Sequence, residues 1–342
     1  MRIDPSVAAR LNPRQRRIWR LHDFSTGAGL EVGPLYKPVV PRALADVRYV
    51  DVFDRTQLAA NYAGHALVDP DLIPDIDYVL LDDGRVRTIP EAAAGARFDW
   101  VVASHVIEHV PDAIGWLDQI AQVTSDGGAL VLVVPDRRYC FDIHRPGTTV
   151  GAMLQAHEQG DDRPSVRAVY DHYRSHVFTD TAEAWKGRPP TYERRSRPLE
   201  VVLRHLEEAR AGEYVDSHVW TFTPDSFVDQ LVELRTLGLS EWAVDRLRRT
   251  RPGSLEFHVV LRRLPVDRDG WGPWLAREVA PRADMPDWVA ETTRLQQRVR
   301  GQRRTIQRQG RRIAALQARL AETDRPGLLR RVARRLRRGR AR

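Results

Sequence analysis

The chain has 342 residues, of which 42% are hydrophobic, so it is long enough to bury one large core or two smaller ones. A single cysteine, Cys140, excludes an internal disulfide and a cysteine-based zinc cluster, which fits a reducing compartment. The net charge is +8, but nine arginines and no acidic residue lie from Arg325 to Arg342, and subtracting them leaves residues 1–324 at −1. Most of the chain is therefore not basic, and the sequence disfavours a nucleic-acid-binding protein.

Residues 1–26 are predicted to form an arginine-rich N-terminal extension with one helix around residues 13–21. Pro5, Pro13 and several arginines interrupt the first 30 residues, which leaves no apolar run long enough for a signal peptide or a membrane span. We therefore expect a cytoplasmic protein.

Short, β-branched apolar runs alternate with helical stretches in residues 27–136. Strands separated by helices predict right-handed crossovers and a doubly wound, mostly parallel α/β sheet, with residues 27–136 as its cofactor-binding core. The predicted strands are 30–32, 47–50, 78–81, 100–103 and 130–134.

Acidic residues follow the first three predicted strands. Glu31 and Gly33 end the first strand, Asp51 closes the second, and Asp82 and Asp83 follow the third. A glycine after a buried strand permits a tight turn and the close approach of a ligand, and carboxylates can bind ribose hydroxyls or an adenine amino group. Each residue alone is equally typical of an ordinary turn or cap. In this order and spacing, the three acidic sites predict a nucleotide cofactor at the carboxyl edge of the sheet.

The fourth strand runs directly into Ser104 and His105. The spacing of His105, Glu108 and His109 matches the inverted zinc-protease motif, in which two histidines one helical turn apart bind zinc and the glutamate activates water. Because the motif directly follows a buried strand, we interpret it as a strand-to-helix turn beneath the cofactor and assign no metal ligand. A zinc hydrolase is the rival interpretation.

The stretch 28–136 resembles a class I S-adenosylmethionine-dependent methyltransferase. Leu30-Glu31-Val32-Gly33 resembles the first motif of that family, the stretch 98–109 resembles its fourth motif, and 127–135 resembles its fifth strand with the preceding turn. The resemblance implies a Rossmann-like sheet of seven strands and S-adenosyl-L-methionine as the cofactor. The residues it implies in cofactor binding are Glu31, Gly33, Asp51, Asp82, Asp83, Ser104 and His105.

The first motif together with the downstream His-x-x-Glu-His also resembles a bacterial subset found with surface-polysaccharide glycosyltransferases. This resemblance implies O-methylation of a sugar or glycan intermediate, with a small-molecule or glycan acceptor. The usual first motif continues with further glycines, whereas this chain has Pro34-Leu35-Tyr36-Lys37-Pro38. A non-catalytic methyltransferase-fold scaffold in a polysaccharide-assembly complex is therefore the alternative.

Residues 137–219 are polar, with too little periodic apolar content for a second core, and we interpret them as an inserted substrate lid. Methyl transfer to a hydroxyl calls for a base near the ends of the fourth and fifth strands, which makes His105, Asp136 and His144 the unranked candidates. The aromatic and hydrogen-bonding residues of the insertion suit a sugar, although a solvated lid would have the same composition. His172 and His176 have the helical spacing of a metal pair, but no third ligand is evident.

Residues 220–263 are predicted to complete the sheet, with Thr223 capping a helix and two final strands in a hairpin. A linker follows at 264–287. Apolar residues in 288–323 recur at alternating steps of four and three, which predicts a coiled-coil helix and a homo-oligomer. The basic amphipathic tail, 324–342, can lie on anionic lipid, contact nucleic-acid phosphates or be solvated, and its leucine stripe favours an anionic membrane surface. This places the protein in the cytoplasm, peripheral to the inner membrane face.

Overall fold

The computed structural model describes residues 3–264. The predicted coiled coil and basic tail lie outside the described residues, as does all but the first residue of the predicted linker. Within residues 3–264, no helix combines the length and the apolarity needed to cross a bilayer.

Seven strands form one mostly parallel sheet in the order β3-β2-β1-β6-β7-β9-β8. β9 is antiparallel to both of its neighbours, β7 and β8, whereas the other pairs are parallel. The predicted fold class and the predicted terminal hairpin are confirmed. The strands are β1 Ala28–Val32, β2 Asp46–Asp51, β3 Tyr78–Val79, β6 Phe98–Ser104, β7 Thr124–Pro135, β8 Trp242–Arg248 and β9 Glu256–Arg263, and a separate small hairpin pairs β4 Leu81–Asp82 with β5 Arg85–Val86.

Helices cover the sheet and build the insertion. The Thr223 hydroxyl accepts a hydrogen bond from the backbone N–H of Ser226 and caps the helix after it, as the sequence predicts. The α-helices are α1 Pro5–Arg10, α2 Pro13–Trp19, α3 Arg55–Asn61, α4 Ile89–Ala93, α5 Ala113–Val123, α6 Val150–Gln159, α7 Val166–Ser175, α8 Thr181–Trp185, α9 Leu199–Arg210 and α10 Pro224–Thr236, with short 3₁₀ turns at Pro70–Leu72 and Tyr192–Arg194.

Both faces of the sheet are buried, because the side chains of β6 alternate between two apolar layers. Val101 and Ala103 pack on the side of α5 and α10. Trp100 and Val102 pack on the opposite side, against a cluster that includes Trp19. The N-terminal segment, expected to be a largely irregular extension with one helix, thus forms two helices and supplies one layer of the core.

The insertion has a small apolar core of its own, contrary to expectation. α7 and α9 pack around it, and its buried members are Val169, Val202, Leu206 and Val215. Val202 and Leu206 lie one helical turn apart on α9, whereas Val169 and Val215 come from distant parts of the insertion. Packing of the two helices against each other brings them together.

The chain changes direction across the sheet between β1 and β6. From β1 the order continues through β2 to β3, and from β6 it continues through β7 in the opposite direction. In open α/β sheets, the loops that leave two such strands diverge and open a crevice at the carboxyl edge, where ligands bind. The residues after β1 and β6 therefore line the candidate site.

Candidate active site

The loops at this edge hold strained backbone. Gly33, directly after β1, has φ +64°, and His105, directly after β6, has φ +56°. Leu35 and Asp83 also have positive φ, so this edge contains three of the four non-glycine residues with positive φ in the described part of the chain. Such conformations are uncommon for residues with a Cβ and cluster at functional sites.

Glu31 ties the loop after β1 to the sheet. Its buried carboxylate accepts hydrogen bonds from the backbone N–H groups of Val39, at 2.6 Å, and Val40, at 2.9 Å. Burial raises the pKa of Glu31 to about 8, while the two amide hydrogen bonds favour the charged form. The loop therefore closes without the expected glycines, since Leu35 itself takes the left-handed conformation. Direct contact between Glu31 and the cofactor stays a prediction.

Asp51, the last residue of β2, has a carboxylate with few partners. Among the described residues it receives a long contact, 3.5 Å, from the backbone N–H of Phe53. Burial raises its pKa to about 6. An acceptor group that is partly desolvated and little used inside the protein suits the two hydroxyls of a ribose.

Asp82 and Asp83 lie in the tight turn of the β4–β5 hairpin. Asp83 and Gly84 both have positive φ, as a two-residue hairpin turn requires, and Asp82 is 3.5 Å from Arg87. The hairpin begins beside the end of β2, because the Leu80 N–H donates to the Asp51 carbonyl oxygen at 2.9 Å. Gly33, Asp51 and this hairpin thus follow one another along the edge in the order that a bound nucleoside needs. Their contacts with the cofactor stay predictions.

His105 lies in a network of charged groups at the end of β6. Its Nε2 is 2.9 Å from Oε2 of Glu256. Arg14 donates to the same carboxylate, from Nε to Oε1 at 3.1 Å and from Nη2 to Oε2 at 3.0 Å. Nη2 of Arg14 donates to the Ser104 hydroxyl at 2.7 Å. Burial alone would raise the pKa of Glu256, but the hydrogen bonds from His105 and His258 and the charge of Arg14 hold it well below its usual range. Glu256 is therefore ionised, and its carboxylate accepts the Nε2–H of His105. In a neutral ring, the tautomer that makes this hydrogen bond has its lone pair on Nδ1.

Arg14 and Glu256 are site residues that sequence reasoning missed. Glu256 reaches this edge because β9 is antiparallel, so its first residue lies opposite Pro135 at the carboxyl end of β7. The available signal was the placement of Glu256 and His258 on one face of an otherwise apolar strand. No local pattern pointed to Arg14.

The other two candidate bases are engaged elsewhere. Asp136 is fully buried, and its carboxylate accepts hydrogen bonds from the guanidinium of Arg138, at 2.6 and 2.9 Å, and from the Thr250 hydroxyl, at 2.6 Å. Nε2 of His144 donates to the Pro190 carbonyl oxygen at 2.8 Å, and its ring stacks on Tyr192. Of the three candidates, the structure thus joins only His105 to an acidic partner at the switch point.

A family model described as "Methyltransferase domain" matches residues 6–188, which is more than half of the chain. The chain belongs to the methyltransferase-domain family. This methyltransferase is therefore an enzyme, and S-adenosyl-L-methionine is its cofactor. No curated protein matches the chain.

Several solved structures are similar to this methyltransferase. An S-adenosylmethionine-dependent methyltransferase from Mesorhizobium loti is 16% identical over 73% of this chain and 96% of its own, with a TM-score of 0.35. An O-methyltransferase family protein from Burkholderia thailandensis is 13% identical over 74% and 56%, with a TM-score of 0.36. The N-methyltransferase NodS from Bradyrhizobium japonicum is 11% identical over 76% and 98%, with a TM-score of 0.31. The family assignment rests on the family-model match to residues 6–188 and not on these structural similarities. The order of the strands in the sheet was determined without either comparison.

Proposed function

We propose that this methyltransferase methylates a hydroxyl oxygen of a sugar or of a glycan-linked intermediate. The observation that carries the proposal is the His105–Glu256 pair, which lies at the carboxyl end of β6 beside the switch point. A histidine held by a carboxylate is suited to accept a hydroxyl proton. S-adenosylmethionine supplies a methyl group on a cationic sulfur, which is a good leaving group.

The residues of the chain would act as follows. The acceptor hydroxyl loses its proton to Nδ1 of His105 while its oxygen bonds to the methyl carbon. S-adenosylmethionine, held by residues of the β1, β2 and β4–β5 loops, would supply the methyl group, and its sulfur would keep the electron pair of the carbon–sulfur bond. Glu256 stabilises the imidazolium that forms, and general-base catalysis of this kind contributes roughly 10²–10⁴-fold.

Aromatic rings of the insertion favour a sugar acceptor. Tyr139 and Trp185 stack with their ring centroids 4.0 Å apart, and Nε1 of Trp185 donates to the Ser254 carbonyl oxygen at 2.8 Å. This bond joins α8 to the chain two residues before Glu256. Phe178, also in the insertion, is 71% exposed. Aromatic faces near hydrogen-bonding groups match the apolar faces and hydroxyls of a sugar ring.

The test begins with calorimetric titration of S-adenosylhomocysteine into the wild type and Asp51→Ala. Methyl transfer from labelled S-adenosylmethionine to nucleotide sugars and lipid-linked oligosaccharides is then measured, with amine and carboxylate acceptors alongside. We expect a methyl ether from the wild type and far less from His105→Ala. Methylation confined to amines would reject the O-methyl proposal, and cofactor binding without transfer to any acceptor would favour the scaffold.

We also propose that residues 288–323 associate two or more copies of the chain and that residues 324–342 bind anionic lipid. The repeat of apolar residues and the nine arginines support these assignments. Paired tails would bind a membrane more strongly than single ones. Light scattering on the wild type and on a Leu295→Lys, Ile306→Lys variant tests association. Co-sedimentation with phosphatidylglycerol vesicles, and with phosphatidylcholine vesicles as the control, tests lipid binding.

A further inference from the structure

Glu108 is a buried carboxylate without a hydrogen bond. It is 0% exposed, and neither of its carboxylate oxygens has a hydrogen-bond partner among the described residues. Nδ1 of His105 lies 3.5 Å from Oε1 of Glu108, which is longer than a normal hydrogen bond. Leaving a buried carboxyl group without a hydrogen bond is unfavourable, and in folded proteins such groups are usually hydrogen-bonded, paired with a cation or bound to a metal ion. The Glu108 side chain is therefore a candidate metal ligand.

Two histidines present ring nitrogens to the same place. One carboxylate oxygen of Glu108 and one ring nitrogen from each of His109 and His218 all lie within 4.8 Å of one another. The two rings meet edge to face, with centroids 4.6 Å apart. Backbone contacts hold the group together, because the Val219 N–H donates to the Glu108 carbonyl oxygen at 2.7 Å.

Each histidine is oriented by a carboxylate behind it. Nδ1 of His109 is 2.8 Å from Asp216, and Nδ1 of His218 is 2.6 Å from Asp142. Carboxylate–histidine pairs of this kind fix the tautomer and direction of histidines that bind metals. With both Nδ1 atoms engaged, the two Nε2 atoms are the nitrogens available as ligands.

We propose that Glu108, His109 and His218 form a site for a divalent transition metal, with Zn²⁺ as the best chemical match. Two imidazoles, one carboxylate and an open position are the ligand set of a catalytic zinc centre. The assignment departs from the sequence interpretation, which placed no metal here. It differs also from the rival zinc motif, since His105 is bound to Glu256 and His218 from the insertion takes its place.

The location of this metal site connects it to the proposed function, on which its catalytic role rests. Glu108 and His109 follow His105 in the same turn, and the His109 side chain is 31% exposed, so one side of the site is open. A metal here would hold the oxygen of an acceptor beside the candidate base and close to the cofactor.

A second group, Asp142, His172 and His218, also has its potential ligand atoms within 4.8 Å of one another, but its carboxylate already has a cationic partner. Asp142 is already paired with Arg145, at 3.0 Å, as well as with His218. Nδ1 of His172 accepts the backbone N–H of His218 at 3.0 Å. These side chains therefore already have hydrogen-bond partners, whereas the Glu108 carboxylate has none among residues 3–264, and we assign Asp142 and His172 to orienting His218.

The test uses the full-length chain, without a polyhistidine tag and treated with chelator. Zn²⁺ is titrated by calorimetry, and bound zinc is measured by elemental analysis after gel filtration. We expect one equivalent with a dissociation constant on the order of micromolar or tighter. Glu108→Gln and His218→Ala should weaken binding by about 100-fold. His157→Gln is the matched control, because His157 pairs with Asp112 in the same way, at 2.8 Å, away from this group.

Binding of S-adenosylhomocysteine, measured on every variant, separates failure of the metal site from failure of the fold or of the proposed function. Glu108→Gln that binds S-adenosylhomocysteine as the wild type does but has lost zinc supports the site. A wild type that takes up no zinc, or Glu108→Gln that binds it equally well, would overturn it. Zinc lost only in His172→Ala would place the metal in the second group and also reject the assignment. Zinc uptake by a chain that does not bind S-adenosylhomocysteine would leave the metal site standing and reject the methyl-transfer role.

Discussion

His105 and Glu256 are 151 residues apart in the chain, and their side chains meet at 2.9 Å. The contact joins the end of β6 to the beginning of β9, at the edge where the cofactor is expected. Arg14, in helix α2 near the N-terminus, also donates to the Glu256 carboxylate. Three distant segments thus cooperate to hold one imidazole ring, which gives the candidate base a defined orientation.

Replacing Glu256 by Gln should slow methyl transfer. The imidazolium that forms on His105 would lose its charged partner, so we expect kcat to fall by roughly 10²-fold, with a smaller change in KM. The initial rate of S-adenosylhomocysteine formation measures this. Glu241→Gln is the control, because Glu241 is also paired with an arginine, Arg263, but lies at the other end of the hairpin. Equal rates in the two variants would contradict the assigned role.

The same substitution should lower stability in a manner that depends on pH. Removing the charge from a buried ion pair costs about 3–5 kcal/mol, and the partial exposure of Arg14 reduces this to about 2 kcal/mol at pH 7. Because the pKa of Glu256 is depressed in the folded state, its stabilisation is fully present above the unfolded pKa of about 4.3. It is lost as the pH falls below that value. Urea unfolding at pH 7 and pH 3.5 measures the free energy of unfolding. The difference in this free energy between the wild type and Glu256→Gln should be smaller at pH 3.5 than at pH 7.

Cofactor affinity should depend on the ionisation of Asp51. Burial raises its pKa to about 6, and only the carboxylate can accept from both ribose hydroxyls. Affinity for S-adenosylhomocysteine should therefore be constant above pH 7 and fall about tenfold per unit well below pH 6. Calorimetry from pH 5 to 8 measures it. Asp51→Asn should bind weakly with a flat profile, whereas Asp46→Asn, at the other end of β2 and exposed, should retain the wild-type profile. A wild-type profile in Asp51→Asn would reject Asp51 as the ribose ligand.

Gly33→Ala should impair both folding and cofactor binding. The residue has φ +64°, and an added Cβ would lie 3.1 Å from Cγ2 of Val106. The left-handed conformation costs about 1–2 kcal/mol for alanine. Gly64→Ala is the matched control, because Gly64 has φ +81° with nothing within 4 Å of its added Cβ. Thermal unfolding should show a lower melting temperature in both variants. Calorimetry should show weaker binding of S-adenosylhomocysteine only in Gly33→Ala.

Asp136→Ala should act mainly on stability. The substitution leaves Arg138 and Thr250 without their acceptor in a buried place, so we expect a loss of roughly 3 kcal/mol or more in the free energy of unfolding. Chemical denaturation measures it. Below the unfolding transition, the remaining folded enzyme should keep a substantial rate. A fully stable but inactive variant would instead support Asp136 as the base.

The sequence alone determined the class of fold, and it predicted the edge of the sheet at which the candidate site lies. Short apolar strands, turn glycines and a capped helix are local patterns, set by neighbours a few residues apart, and β1, β2, β6, β7 and α10 formed where those patterns lie. Acidic residues at strand ends pointed to the cofactor edge for the same local reason.

Tertiary structure decided which side chains meet at that edge. Glu256 joins His105 only because β9 runs antiparallel between β7 and β8. His218 joins Glu108 only because the end of the insertion contacts the turn after β6. The Glu31 carboxylate holds the loop after β1 through hydrogen bonds from Val39 and Val40, without the glycines expected there. These hydrogen bonds likewise depend on the burial of that carboxylate. These contacts form between residues far apart in the chain, and their energies depend on packing and desolvation. No local pattern encodes them.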